Sequence, residues 1–168
     1  MNGKVKDAGP LLMPTMTMPS EWLDFNGHIT ERRYLQLCGL GTEHLLSFIG
    51  IDEQYRKRGR FYTLETHLCH INQLYAGDQV RVATQILGAD DKRLHLFHAI
   101  SREGEESLVA SGEQLLIHVD MMSGRSGRVL RSVSDNLVEL TRQHAELARP
   151  RGAGASISLS RRGNPMVE

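Results

Sequence analysis

Asp24-Phe25-Asn26-Gly27-His28 leads straight into a helical run over residues 29–49, and its reading decides how the rest of the chain is placed. A carboxylate stands three residues before a glycine, and the glycine is expected to open the helix. That order sets a base or nucleophile beside backbone N–H groups, because the first helical turn has no internal acceptors for them. Those donors, at the positive end of the helix dipole, can hold an oxyanion. The pentapeptide has the parts of half an acyl-transfer site. It also fits a plain N-cap, since Asp and Asn cap helices well and His28 can be an ordinary surface residue.

Within residues 29–49, Tyr34, Cys38, Leu45 and Phe48 or Ile49 recur at steps of three and four, with Gly41 on the same line. Gly50 is the expected C-terminal stop. Gly39 and Gly41 each cost about 1 kcal/mol relative to Ala in mid-helix. Two such residues imply that the helix lies close against something, most simply the face of a sheet. Beyond it the chain reads as strands: residues 61–75, 79–87, 93–101 and 108–120. Val80, Val82, Thr84 and Ile86 share one face of the second. The last carries apolar residues on both faces, so it is expected to be central. Residues 133–147 form a closing amphipathic helix on Val133, Leu137, Leu140 and Leu147, with Ser132 or Ser134 as its cap. A long helix followed by an antiparallel meander is α+β.

The 168 residues, with formal net charge zero, suit one folded body over residues 14–148. A Gly/Pro-punctuated leader, 1–13, that is expected to be flexible precedes it, and a Gly-, Ser- and Arg-rich tail, 149–168, is expected to be disordered. Neutrality argues against nucleic acid, whose phosphates need an excess of Lys and Arg. Two cysteines, Cys38 and Cys69, imply no disulfide framework. No signal-like or membrane-spanning run is read, and a cytoplasmic protein is expected.

The order of elements now resembles the hot-dog fold. Asp24, Gly27, His28 and Tyr34 match the Asp-x-x-Gly-His-Val-Asn-Asn-x-x-Tyr motif of acyl-CoA thioesterases of the 4-hydroxybenzoyl-CoA thioesterase type. Tyr75-Ala76-Gly77-Asp78-Gln79-Val80 is similar to the junction before that family's third strand. Thr63-Leu64-Glu65-Thr66-His67, Lys92-Arg93-Leu94-His95-Leu96-Phe97-His98 and the run Glu113 to Asp120 resemble the betainyl-CoA thioesterases of carnitine degradation. The chain departs from the motif at Ile29-Thr30-Glu31, where the family often has Val-Asn-Asn. The resemblance implies a long helix wrapped by an antiparallel sheet. It also implies an acyl-CoA substrate whose CoA is the only coenzyme, and a homodimer or dimer of dimers with its sites between subunits.

Thioester hydrolysis releases a thiolate whose pKa near 8.5 makes it a tolerable leaving group. The reaction needs an oxyanion site and either an activated water or a nucleophilic carboxylate. Asp24 is the candidate for the carboxylate, and the backbone N–H of Gly27 or His28 for the oxyanion. Asn26 is expected to position water or the carboxylate. Glu65 reads as mid-strand, on one face with Thr63, His67 and Cys69. It would position water or pair with a cationic substrate, or else face solvent or a subunit contact. Trp22, Phe25, Tyr34, Phe61 and Tyr62 gather near the site in sequence and would suit a trimethylammonium group by cation–π contact, or simply fill the core. Arg58 and Arg60, in the run that begins Arg56-Lys57, are candidates for CoA phosphates. The eight histidines do not form a metal set: His67 and His70, like His95 and His98, are an odd step apart on a strand. An enoyl-CoA hydratase and a non-catalytic acyl-CoA-binding protein are the competing readings. The hydratase motif spaces its histidine one residue further from the Asp, and the binding protein has no use for Asp24 beside Gly27.

Overall fold

The computed structural model describes residues 9–159. The long helix forms over Glu31–Phe48 (α1), and Gly50 ends it with φ +103°. The strands are Leu11–Leu12 (β1), Met16–Thr17 (β2), Gly59–His70 (β3), Gln79–Ala89 (β4), Arg93–Arg102 (β5), Leu108–Asp120 (β6) and Arg125–Ser126 (β7). A short helix, Glu53–Arg56 (α2), links α1 to β3, and Arg131–Ala145 (α3) closes the chain. The strands make one sheet in the order β1-β4-β5-β6-β3, with β2 added to β4 and β7 to β6. This is the hot-dog arrangement: a helix lying along one face of a curled antiparallel sheet, with a further C-terminal helix.

Alternation in β4 puts Val80, Val82, Thr84 and Ile86 under the helix, all nearly inaccessible. Gly41 lets α1 settle there. A Cβ on it would meet His98 Nδ1, Thr84 Oγ1 and Val82 Cγ1, each at 3.0 Å. Gly39, two residues earlier, has nothing within 4 Å of that position. Only one of the two helical glycines is there for the sheet. The core divides into two clusters, one around Tyr34, Leu37 and Cys38, the other around Leu45, Ile49 and the α3 residues Val133, Leu137 and Leu140. As expected, β6 is central, between β5 and β3.

Several expectations are corrected. The leader is not loose throughout: Leu11 and Leu12 pair with Thr84 and Ala83, and Met13 N–H donates to Val82 O. Residues 1–8 lie outside the described residues. The strand expected over 61–75 begins at Gly59 and stops at His70, because Ile71 and Asn72 both turn their N–H groups to Val109 O. The residue before α3 is Leu130, with no side-chain cap, so neither Ser132 nor Ser134 serves. Part of the tail expected to be disordered lies on the sheet's outer face. Gly154 N–H donates to Glu113 Oε2 at 2.7 Å, after the chain has left the body at Ala148, whose O accepts Gln85 Nε2 at 3.4 Å; Phe97, between Gln85 and Glu113 in the register, is 2% exposed. Residues 160–168 lie outside the described residues.

Candidate active site

The Asp24 segment is a tight reversal. Leu23 bridges Ile29, Asp24 N–H donates to His28 O at 2.7 Å, and Gly27 turns the chain with φ +79°. Within it the Asp24 carboxylate oxygen Oδ1 accepts Asn26 N–H at 2.8 Å and His28 N–H at 3.1 Å. A short acidic side chain captures nearby N–H groups in this way, as in an Asx turn. Among the described residues Oδ2 has no such partner, so half of a fixed carboxylate is left unspent. The turn is docked on the segment before β4: Ile29 N–H donates to Leu74 O at 2.8 Å, and the His28 ring meets Tyr75 edge-on at 5.3 Å.

This geometry corrects the expected oxyanion donors. Gly27 does not open the helix, since α1 starts at Glu31. Gly27 N–H is used on the main-chain O of Asp24 and closes the turn, while His28 N–H holds the carboxylate through Asp24 Oδ1. Asn26 contributes through its backbone in the same way.

Glu65 does lie mid-strand, but at the edge of the sheet. β3 is the edge strand, and Leu64 is an extra residue in it: Thr63 pairs with Leu116 and Glu65 with Leu115. A bulge of this kind flips the alternation that follows. Thr63 therefore faces the helix, while Glu65, with His67 and Cys69, faces outward and is exposed. The aromatic residues also separate. Tyr34 is buried at 4% exposure, its hydroxyl accepting Leu74 N–H at 2.9 Å, so it is a core residue with no surface for substrate. Trp22 packs at the edge of the same cluster and already carries the Arg33 guanidinium at 4.7 Å from its ring. Phe61 packs against the other cluster, its ring 5.2 Å from that of His118. Tyr62 faces away from Phe61 and is half exposed, and Phe25 is 96% exposed. Among the described residues of one chain these rings form no aromatic cage.

What the fold does build is an open groove of about 490 Å³ between α1 and the β3 edge. Gly39, Thr42, Glu43 and Leu46 form its helix wall, Phe61 and Thr63 its strand wall, Gln114 and Leu116 its floor, and Arg56 and Arg60 one end. Arg60 is held by Arg56 O at 2.9 Å, whereas Arg58 is exposed and does not line the groove. Gly39, Glu43 and Leu46 stand at steps of four and three beside the apolar line read from the sequence. That spacing was the available signal for a second functional face of the helix.

The floor is internally satisfied. Thr42 Oγ1 donates to Gln114 Oε1 at 2.9 Å and lies 3.1 Å from His98 Nε2, while Thr84 Oγ1 lies 2.9 Å from His98 Nδ1. Burial pushes the His98 pKa down to about 4, so the ring is neutral. With the Thr42 hydrogen given to Gln114, the ring proton sits on Nε2, and Nδ1 accepts from Thr84. Gln114 Nε2 donates onward to Thr66 at 3.3 Å. Burial also raises the Cys38 thiol to about 12, so it is a core group and no nucleophile.

Among the described residues no helix is long and apolar enough to cross a membrane. The chain is 37% identical over 141 residues to the betainyl-CoA thioesterase of Pseudomonas aeruginosa, covering 83% of this chain and 89% of that one. It is 47% identical over 126 residues to the L-carnitine dehydrogenase/betainyl-CoA thioesterase of Agrobacterium fabrum, covering 74% of this chain and 26% of that one. The chain spans about a quarter to a third of the length of such dehydrogenase/thioesterase relatives. The structure of a Staphylococcus aureus protein in complex with CoA superposes with a TM-score of 0.83 at 23% identity, over 95% of this chain and 99% of that one, a likeness of fold. Residues 18–148 match the Thioesterase-like superfamily, and they hold the Asp24 turn, the groove and every strand from β3 to β7. The chain belongs to the Thioesterase-like superfamily.

Proposed function

We propose that this chain hydrolyses an acyl-CoA thioester, betainyl-CoA, to betaine and free CoA. The observation that carries the reading is the Asp24 turn, with one carboxylate oxygen fixed by two N–H groups and the other without a hydrogen bond among the described residues. The P. aeruginosa relative named for betainyl-CoA, aligned over 89% of its length, supports the substrate. Two routes use the same oxygen. Asp24 Oδ2 attacks the thioester carbonyl, expelling CoA thiolate and leaving a mixed anhydride that water opens; or it takes a proton from the water that attacks. Either route yields a carboxylate and a thiol, and neither needs a cofactor beyond the substrate's CoA. The oxyanion falls to the Glu31 and Arg32 N–H groups at the start of α1, since Arg33 N–H is already used on Thr30 O.

Asp24 does not line the groove of its own chain. The twelve-residue β3 edge is open, and Tyr62 and Leu64 stand on it 47% and 53% exposed. Edges of this length are normally covered. Antiparallel pairing with a second copy would set the Arg60 end of one β3 beside the His70 end of the other. His70 packs on Tyr34 at 4.9 Å and lies 3.9 Å from Glu31, at the start of α1. The groove of one chain would then meet the Asp24 turn of its partner, with the exposed Phe25 ring beside it. Arg56 and Arg60 would take CoA phosphates, Tyr62 the interface, and Glu65 a place near the subunit contact. A homodimer, or a dimer of such dimers, is the working unit, and two free cysteines suit the cytoplasm.

The test is release of free CoA thiol from betainyl-, acetyl-, hydroxybenzoyl- and medium-chain acyl-CoA by wild type and Asp24→Asn. Fastest turnover of betainyl-CoA, lost in Asp24→Asn, is expected. Turnover of other thioesters alone would overturn the substrate, and no thiol release from any would overturn the activity.

A further inference from the structure

We infer that Glu43 is the residue that selects a cationic acyl group, the carboxylate against which a quaternary ammonium head seats in the groove. The inference rests on the betainyl-CoA reading above and adds the residue that enforces it. Glu65, for which the sequence allowed pairing with a cation as one role, faces outward on the edge strand, whereas Glu43 is the one carboxylate among the described residues that lines the groove. It makes no ion pair or hydrogen bond among the described residues. The groove's other polar groups divide by place. Arg56 and Arg60 are together at the end where α2 meets β3, while Glu43 stands midway along the helix wall between Gly39 and Leu46.

Chemistry then narrows the occupant. Thr42 and the neutral His98 both donate to Gln114 Oε1 and Gln114 Nε2 donates to Thr66, so most of the floor's hydrogen bonds are made within the floor itself. A trimethylammonium group asks for none. It carries its charge on methyl groups that donate weakly, and it is held by a carboxylate and by ring faces. The groove supplies both, in Glu43 and Phe61. Gly39 adds room: a Cβ there would meet nothing within 4 Å, which leaves space on the wall one turn from Glu43.

The neutral isostere of betainyl-CoA is 3,3-dimethylbutyryl-CoA, which has carbon in place of nitrogen and the same shape. Wild type, Glu43→Gln and Glu43→Asp are compared by the ratio of kcat/KM for the two thioesters. Glu43→Gln is expected to cut the wild-type preference for betainyl-CoA by about 10- to 100-fold, the scale of one partly shielded charge pair. Glu43→Asp, which keeps the charge, is expected to retain most of that preference. An unchanged ratio in Glu43→Gln, whether both rates fall together or neither moves, overturns the role of Glu43 and leaves the thioesterase reading standing. Failure of wild type to hydrolyse betainyl-CoA overturns both.

Discussion

Alanine at Gly41 and alanine at Gly39 should move stability in opposite directions, although the residues are two apart on one helix. Intrinsic helix preference favours both changes by about 1 kcal/mol. At Gly41 the new methyl group meets three atoms of the sheet at 3.0 Å, from His98, Thr84 and Val82, all in the buried network. Overpacking of that kind costs about 1–3 kcal/mol, which outweighs the gain. At Gly39 nothing lies within 4 Å, so the gain stands. For a chain of this length 1 kcal/mol moves Tm by about 2–4 °C. Gly41→Ala should therefore melt several degrees below wild type and Gly39→Ala a few degrees above it, by calorimetry at one pH and protein concentration. A Gly41→Ala protein as stable as Gly39→Ala would refute the close seating of α1 on β4.

Further outcomes follow from the same geometry. The folded chain holds His98 neutral with its pKa down to about 4 from 6.5, and burial also lowers His118 and His144, so the unfolded chain binds more protons in that window. Stability should be full above pH 6.5 and fall as pH drops toward 4, by about 2 kcal/mol from His98 alone at pH 5; flat urea midpoints from pH 7.5 to 5 would contradict this. Native protein should yield about one fast-reacting thiol at pH 8, the half-buried Cys69, and a second only in denaturant, because Cys38 is fully buried with a pKa about 12. Two fast thiols in the native state would place Cys38 wrongly. Arg56→Ala and Arg60→Ala should each raise KM for CoA thioesters by about 3- to 10-fold and weaken its dependence on salt, with kcat little changed. An effect on kcat alone would remove them from phosphate binding.

Much of this molecule was legible before its coordinates. The alternation Val80, Val82, Thr84, Ile86 fixed which side of β4 meets the helix, and Asp24 with Gly27 marked the turn. What was not legible came from single backbone events. The extra residue Leu64 changes no local propensity, yet it turns Glu65 from the helix side to the outer face. Gly39 and Gly41 look alike in sequence, and only the three-dimensional approach of His98 tells the one that admits the sheet from the one that opens the groove. The expected aromatic cage failed because nearness in sequence put Tyr34 in one core cluster and Phe61 beside another. Glu43 passed unnoticed as one charge on an exposed helix face.

The central claim is that Asp24 of one chain acts on a thioester seated in the groove of its partner. Co-expression of differently tagged Asp24→Asn and Gly39→Trp chains, the second with its groove filled, gives heterodimers that test it by betainyl-CoA hydrolysis. Each homodimer should be inactive. The heterodimer should recover about half of wild-type activity, because two-fold pairing leaves one site with both lesions and one with neither. A heterodimer as inactive as its parents would contradict the shared site and return Asp24 to the groove of its own chain.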